Sequence, residues 1–311
     1  MRVIFSILFL MSACTSDGPR QDDTDTDTDT DTDTDTEVVP HNPVETAGAP
    51  TVIADGLVFT EGPLWMPNDV LLFSDIPANR IYQWNGESLE IFRSPSGNSN
   101  GLALNNDGLL LAAEHGNRRI SLTAETGEVE SLIDSYDGKT LNSPNDLVQS
   151  SLGHLYFTDP PYGISEELRE ISHNGVYRVG PDGAVGLVWT GEPETRPNGI
   201  VLSPDESILY VSYTREAVVR AFPLDNQGRA EEGTVFFETA ASPDGMTTDA
   251  HGNLFITTAE GIQVVNPDGT LWGTLSVDQK PTNCTLGGEK RSTLFVTART
   301  EVYSIELGEN P

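Results

Sequence analysis

Six polar residues recur in the chain at one place in a repeated phrase. Each precedes an apolar run, a turn carrying Asp, Asn or Gly, and a second apolar run rich in β-formers. All six side chains carry oxygen, and none is His or Cys, so together they suit Ca²⁺, Mg²⁺ or Mn²⁺ better than Zn²⁺. Brought together, they could hold one divalent cation and leave coordination positions for a small molecule. The six are Glu61, Asn100, Asn145, Asn198, Asp244 and Asn283, called the anchors below.

The spacing of the anchors predicts the element that would bring them together. Consecutive anchors lie 39, 45, 53, 46 and 39 residues apart. Each copy reads as a hairpin, and a four-stranded propeller blade needs roughly 40–45 residues. The sequence therefore predicts an all-β, six-bladed β-propeller with the anchors around its channel. The alternative for any one copy is that Asn-Gly or Asp-Gly simply forms a turn; six copies in phase favour a shared site.

Two departures from the repeat make further predictions. Only 28 residues follow Asn283, too few for another blade, so a strand near Thr51 should complete the last blade and close the ring. The longest interval carries its extra residues at Asp159–Gly175, where two prolines stop the strand and Ser165–Ile171 could form one or two helical turns. This segment is a candidate lid over one mouth of the channel, or else a neutral surface insertion.

The N-terminus is predicted to be an export signal. Arg2, an apolar run and small residues precede Cys14, too short a stretch to span a bilayer, and the ending resembles a bacterial lipobox. We expect a signal peptide over residues 1–13 and lipidation of Cys14. The chain is therefore expected to be an exported lipoprotein that is anchored to the cell envelope at the outer membrane. Cys284 then has no disulfide partner and is expected to be a buried, inert thiol.

Charge divides the chain into a tether and a domain. Of the net charge of −31, residues 1–47 carry −9 and the rest −22. The Thr-Asp alternation of residues 23–36 offers no apolar face, so residues 14–47 are predicted to be a disordered tether, with weak cation binding as the alternative. The acidic domain of residues 48–311 repels nucleic acid and anionic lipid and fits a cation site, although a solvated acidic surface explains the same charge.

The anchor phrases resemble one known family. They are FTEGPLW, SNGLAL with AAEHGNRRI, SPNDLV with YFTDPPYG, RPNGIVLSPDE, PDGMTTDAHGNL and PTNCTLGGE, over about residues 50–307. Together they are similar to the senescence-marker-protein/gluconolactonase/luciferin-regenerating family of six-bladed propeller lactonases. The resemblance implies one divalent cation, usually Ca²⁺ but replaceable by Mg²⁺, Mn²⁺ or Zn²⁺. Its expected ligands are Glu61, Asn198 and Asp244, with Asn145 beside the metal or substrate. Asp244 is the expected general base, with a metal-bound hydroxide as the alternative source of the nucleophile.

The same resemblance suggests how a substrate would be held. His115 and Arg118 or Arg119 would line the pocket with Asn100, and Tyr162 would stack on a sugar ring. His115 could instead be a strand-end residue bonded to backbone. Asp146 could orient the neighbouring amide, while Asp159 is expected to end its strand.

The implied activity is hydrolysis of a sugar lactone by a monomer whose only partner is a small molecule. A non-catalytic binding propeller and a hydrolase of aryl esters or organophosphates remain alternatives. No serine nucleophile elbow, CxxC pair or phosphate-binding loop occurs in the sequence.

Overall fold

A computed structural model describes residues 41–192 and 194–308 of the 311-residue chain. The predicted signal peptide, Cys14 and the Thr-Asp tract lie outside the described residues. Within that part of the chain, none of the helices has the length and apolar character needed to cross a membrane.

The described residues form six four-stranded antiparallel sheets, which confirms the predicted all-β propeller. We number the blades 1 to 6 in chain order from Glu61, with strand β1 (Thr51–Ala54) preceding them. Blade 1 holds β2 (Thr60–Met66), β3 (Val70–Asp75), β4 (Arg80–Trp84) and β5 (Leu89–Arg93). Blade 2 holds β6 (Ser99–Leu104), β7 (Leu110–Glu114), β8 (Arg119–Thr123) and β9 (Val129–Ile133). A short hairpin of β10 (Ser135–Tyr136) and β11 (Lys139–Thr140) leads to blade 3.

The later blades repeat the order from inner to outer strand. Blade 3 holds β12 (Leu147–Gln149), β13 (Leu155–Asp159), β14 (Gly175–Val179) and β15 (Val185–Thr190). Blade 4 holds β16 (Pro197–Leu202), β17 (Ile208–Tyr213), β18 (Val218–Pro223) and β19 (Thr234–Glu238). Blade 5 holds β20 (Pro243–Thr248), β21 (Leu254–Thr258), β22 (Gly261–Val265) and β23 (Leu271–Leu275). Apolar residues of adjacent sheets pack between the blades as the core.

Blade 6 is completed from the other end of the chain, as the residue count predicted. Its strands β24 (Asn283–Gly287), β25 (Thr293–Ala298) and β26 (Glu301–Glu306) are followed in the sheet by β1, which pairs antiparallel with β26. The inner strands of successive blades touch one another around the ring, including those of blades 6 and 1. Closure leaves no gap at which a further strand could be added between these blades.

The residues just before β1 also belong to the compact unit. A short helix, α1 (Pro43–Thr46), is capped by the Asn42 side chain, which accepts a hydrogen bond from the Val44 N–H at 3.1 Å. Val44 packs against the blade 5 and 6 core, and Thr46 donates to the Leu307 carbonyl. The sequence placed the end of the tether at residue 47, whereas the structure starts the compact unit at residue 41. One partly buried valine and one helix cap are too small a signal to be recognised in the sequence beside Pro40 and Pro43.

The innermost strands carry the features that turn the anchors inward. In blades 1, 2, 4 and 5 the pairing with the second strand slips at or next to the anchor, as in a β-bulge, which redirects a side chain. The residue after the anchor in these blades is glycine. A Cβ on Gly101 would collide with Asp146, and one on Gly199 with the Asp244 carbonyl. Neighbouring inner strands thus approach as closely as only glycine permits.

The predicted lid is largely irregular. Its helical content is one 3₁₀ turn, Glu166–Leu168, shorter than the stretch suggested by sequence. A second 3₁₀ turn, Glu289–Arg291, connects β24 to β25. None of the three residues of the Glu166–Leu168 turn is buried, so no packing stabilises a longer helix there.

Candidate active site

The structure brings the anchors together in the channel. Glu61, Asn100 and Asn145 are each 4% exposed. Three of the amides form a directed chain. Asn100 Nδ2 donates to Asn145 Oδ1 at 2.7 Å, and Asn145 Nδ2 donates to Asn198 Oδ1 at 2.6 Å. Asn283 closes the other side of the ring by hydrogen-bonding Glu61 and reaching Asp146 Oδ2 at 3.4 Å.

Three carboxyl groups lie near one another at this point. Burial, then the charges of Asp244 and Asp146, raise the pKa of Glu61 well above its ordinary value. Burial raises the pKa of Asp244 to about 7, opposed by Lys280 and by a hydrogen bond from Asn198. Burial also raises the pKa of Asp146 to about 7. Carboxylates crowded in this way are costly to ionise without a positive charge between them.

The residues present fit a hard cation. Asn100 Oδ1 is buried and has no hydrogen-bond partner in the described part of the chain. A carbonyl oxygen without a donor, beside carboxylates whose ionisation is disfavoured, has the chemistry of a Ca²⁺ or Mg²⁺ ligand. Among residues 41–192 and 194–308, no three His, Cys, Asp or Glu residues form a group arranged to hold a metal. The ligands implied by the resemblance include only two carboxylates, Glu61 and Asp244, and the remaining side-chain oxygens come from amides.

His115 borders the amide chain. Its Nε2 lies 3.5 Å from Asn100 Nδ2, and its ring is covered by Gly163 of the lid, where a Cβ would collide with it. Burial lowers the pKa of His115 to about 4, so the imidazole is neutral near pH 7. A neutral imidazole can donate or accept a hydrogen bond without adding charge.

Tyr162 reaches the site from the lid. The side chain as a whole is 44% exposed, but its hydroxyl lies inward: burial raises its pKa to about 12, while hydrogen bonds with Thr214 and Asn198 oppose the shift. The lid is tied down by Ser143, whose Oγ donates to the Pro160 carbonyl at 2.7 Å and accepts from the Gly163 N–H at 2.9 Å. The ring therefore lies at the mouth, with its polar end near the anchors.

The structure does not bring the two arginines to the site. The Arg118 guanidinium donates from Nε to the Leu141 carbonyl at 2.7 Å, and from Nη2 to the Thr140 carbonyl at 3.2 Å. Arg119 is paired with the buried Glu114 at 2.8 Å. The structure thus directs the Nε and Nη2 atoms of Arg118 to backbone carbonyls of the loop before blade 3, and contact between Arg118 and a substrate stays a prediction.

The two aspartates flanking the site have different positions. Asp146 accepts from the Leu147 N–H at 2.9 Å and lines a cavity of about 210 Å³ with Leu64 and Met246, on the side of the ring away from the lid. Asp159 ends β13 as expected and accepts from the Asn142 N–H at 2.8 Å, which fixes the loop leading to Asn145. A larger groove of about 640 Å³, lined by Trp189, lies outside the anchor ring.

Comparison with known proteins decides the family. The sequence model described as the SMP-30/gluconolactonase/LRE-like region matches residues 59–300. The chain belongs to this family. It is 38% identical to a gluconolactonase of Zymomonas mobilis over 287 residues, 82% of this chain and 80% of that protein. It is 27% identical to the pentonolactonase XacC of Haloferax volcanii over 253 residues, 76% and 80% of the two chains. A solved gluconolactonase structure from Xanthomonas campestris has a TM-score of 0.77 at 30% identity, covering 83% and 89%.

Within this member of the family, sequence reasoning missed a set of hydroxyl groups that join the blades. Ser212 Oγ accepts from the Gly199 N–H at 2.9 Å and donates to the Asp244 carbonyl of the next blade at 2.7 Å. Thr158 Oγ1 likewise donates to the Asn198 carbonyl at 2.7 Å. A signal was available, since a Ser or Thr stands 13 or 14 positions after five of the six anchors. They are Ser74, Thr158, Ser212, Thr257 and Thr297, with Ala113 as the exception in blade 2. Thr297 differs from the other four, because its hydroxyl bonds within blade 6, to Thr282 and Asn283.

Proposed function

We propose that the chain hydrolyses a lactone, with a sugar lactone as substrate and one divalent cation, Ca²⁺ first, as cofactor. The observation that carries this proposal is the ring in which Glu61, Asp244 and the amides of Asn145 and Asn198 converge, with Tyr162 of the lid beside Asn198. Relatives named for gluconolactone and pentonolactone hydrolysis support the substrate class.

The cation's ligands would be Glu61, Asn198 and Asp244, with Asn145 beside it. When bound, a divalent cation supplies positive charge that polarises the lactone carbonyl and stabilises the oxyanion that develops there. Asp244 accepts a proton from the attacking water, the water oxygen bonds to the carbonyl carbon, and the ring C–O bond breaks. The proton then passes to the leaving alkoxide, so the product is a hydroxy acid.

Other side chains hold the substrate. Neutral His115 can hydrogen-bond a ring hydroxyl, and the partly exposed Tyr162 ring can pack on the sugar face at the mouth. These contacts favour a polyhydroxylated ring over an unsubstituted one, because buried polar groups are left unpaired when the ligand lacks its hydroxyls.

A substrate screen tests the proposal. Acid release from glucono-1,5-lactone, an unsubstituted lactone, an aryl ester and an organophosphate would be measured with Ca²⁺, Mg²⁺, Mn²⁺ or Zn²⁺ and with a chelator. We expect the sugar lactone to be hydrolysed fastest and the activity to vanish with chelator and return with metal. A faster aryl ester or organophosphate would change the substrate class. Binding of lactone without turnover under all four ions would make the protein a binding propeller.

We also propose that the propeller is exported and anchored to the envelope through lipidated Cys14. The membrane-bound fraction of the full chain expressed in bacteria should become soluble in Cys14→Ser. Retention of the variant in the membrane would contradict the anchor.

A further inference from the structure

Thr214 follows β17 at the lid end of blade 4, and its hydroxyl meets three groups of the site. It donates to the Pro243 carbonyl at 2.9 Å and accepts from Asn198 Nδ2 at 2.9 Å. The Tyr162 hydroxyl is the third group, and its hydrogen bond with Thr214 opposes the rise in the Tyr162 pKa that burial causes. Pro243 precedes Asp244, so one hydroxyl joins the backbone of one anchor, the amide of another and the lid.

The number of protons on these groups fixes their roles. A hydroxyl has one hydrogen and two lone pairs, and a backbone carbonyl can only accept. The Thr214 hydrogen is therefore used on Pro243, and Asn198 must present N–H to Thr214. Because the two ends of an Asn amide have nearly the same shape, hydrogen-bond partners decide which way it faces. Asn198 Oδ1 consequently faces Asn145, from whose Nδ2 it accepts a hydrogen bond at 2.6 Å.

The donor-to-acceptor direction at Asn198 also determines the orientation of the other two amides, Asn145 and Asn100. Asn145 uses its nitrogen on Asn198, so its oxygen accepts from Asn100 Nδ2. Asn100 Oδ1 is left as the open end, buried and without a donor in the part of the chain that the structure describes. In the reverse direction Thr214 would give its one hydrogen to Asn198, and the Pro243 carbonyl would lose the donor that it has in the structure. The four hydrogen bonds therefore all point in one direction: each group donates to the next, from Asn100 to the Pro243 carbonyl of blade 5.

We propose that Thr214 is a positioning residue for the metal site: its hydroxyl sets the direction of the amide chain and presents the Asn198 oxygen, rather than its NH₂ group, to the cation. Without that hydroxyl, Asn198 can turn its NH₂ group toward the positive charge. The inference rests on the metal site of the proposed function, and its test does not require turnover.

The test measures Ca²⁺ affinity of the full chain by titration calorimetry. Thr214→Val keeps the side-chain shape and removes the hydroxyl, and we expect affinity to fall about 10–100-fold, the usual effect of losing a partner that orients a ligand. Thr214→Ser keeps the hydroxyl and should bind Ca²⁺ much as the unmodified chain does. The matched control is Thr248→Val, because Thr248 Oγ1 also donates across blades, to the Leu202 carbonyl at 3.0 Å. Its affinity should be unchanged.

Several results would overturn the inference. Thr214→Val binding Ca²⁺ as tightly as the unmodified chain would do so, as would Thr214→Ser binding as weakly as Thr214→Val. If Thr214→Val does not fold, Thr214→Ala removes the hydroxyl without apolar bulk and takes its place. An unmodified chain that binds neither Ca²⁺ nor Mn²⁺ refutes the inference together with the metal site. Metal binding with the expected variant pattern but no lactone hydrolysis refutes the proposed activity alone.

Discussion

At the scale of single residues, Asp244 combines two roles that substitution can separate. Asp244→Asn keeps a carbonyl oxygen for the cation but removes a charge and a base. We expect it to bind metal more weakly and to lose at least about a hundredfold in kcat at saturating metal, the usual scale for loss of a general base. Glu61→Gln should act mainly on metal affinity and recover as metal is raised. Steady-state kinetics measured over a metal titration distinguish the two variants. Near-normal turnover of Asp244→Asn at saturating metal would mean that Asp244 acts only as a metal ligand.

The buried carboxyls make a prediction about the metal-free protein. Burial raises the pKa values of Asp244, Asp146 and Asp159 from 3.8 to about 7. The folded state therefore holds protons that the unfolded state has released between pH 4 and 7, and stability falls as pH rises through this window. In chelator, the melting temperature should be higher at pH 5 than at pH 8. Saturating Ca²⁺ should narrow the difference, and a metal-free melting temperature that rises with pH would contradict this account.

At the scale of elements, the lid depends on one buried hydroxyl. Ser143→Ala removes the hydrogen bonds to Pro160 and Gly163, each worth about 0.5–1.5 kcal/mol. We expect a raised KM, because Tyr162 and Gly163 are no longer held over the mouth, with a smaller change in kcat. Ser203→Ala is the matched control, since Ser203 also bridges a turn, to Asp205 and Ile208. Equal KM values for the two variants would mean that the segment does not cover the substrate.

The elements also show what a sequence can predict. Repeats in phase predicted blades, closure and anchors, because a ring turns equal positions in sequence into neighbours in space. The partners of Arg118 could not be predicted, because they are backbone carbonyls of a loop and backbone acceptors leave no mark in sequence. The direction of the Asn100 to Thr214 chain was likewise invisible, since it depends on the bulges and on a carbonyl of the neighbouring blade. The family resemblance named the anchors but not the groups that orient them.

At the scale of the whole molecule, the ring is closed by the start of the chain. The open edge of β26 would otherwise present unpaired N–H and C=O groups to other chains. Because β1 lies only a few residues after α1, and Thr46 and the Gly48 N–H both bond to the end of blade 6, closure and the attachment of the N-terminus are one structural feature.

A truncation series tests this arrangement. A chain beginning at His41 should unfold cooperatively at the same temperature as the mature chain. One beginning at Gly48 loses α1, the Val44 packing and the Thr46 bond, and we expect a melting temperature several degrees lower, because about 1–2 kcal/mol moves a domain of this size by a few degrees. One beginning at Gly56 also lacks β1, and it should aggregate or lose cooperative unfolding through the exposed β26 edge.

Thermal unfolding with light scattering measures all three. If the Gly56 chain remained monomeric and melted like the His41 chain, β1 would not be what closes the ring; if the Gly48 chain matched the His41 chain, α1 would add nothing to the fold.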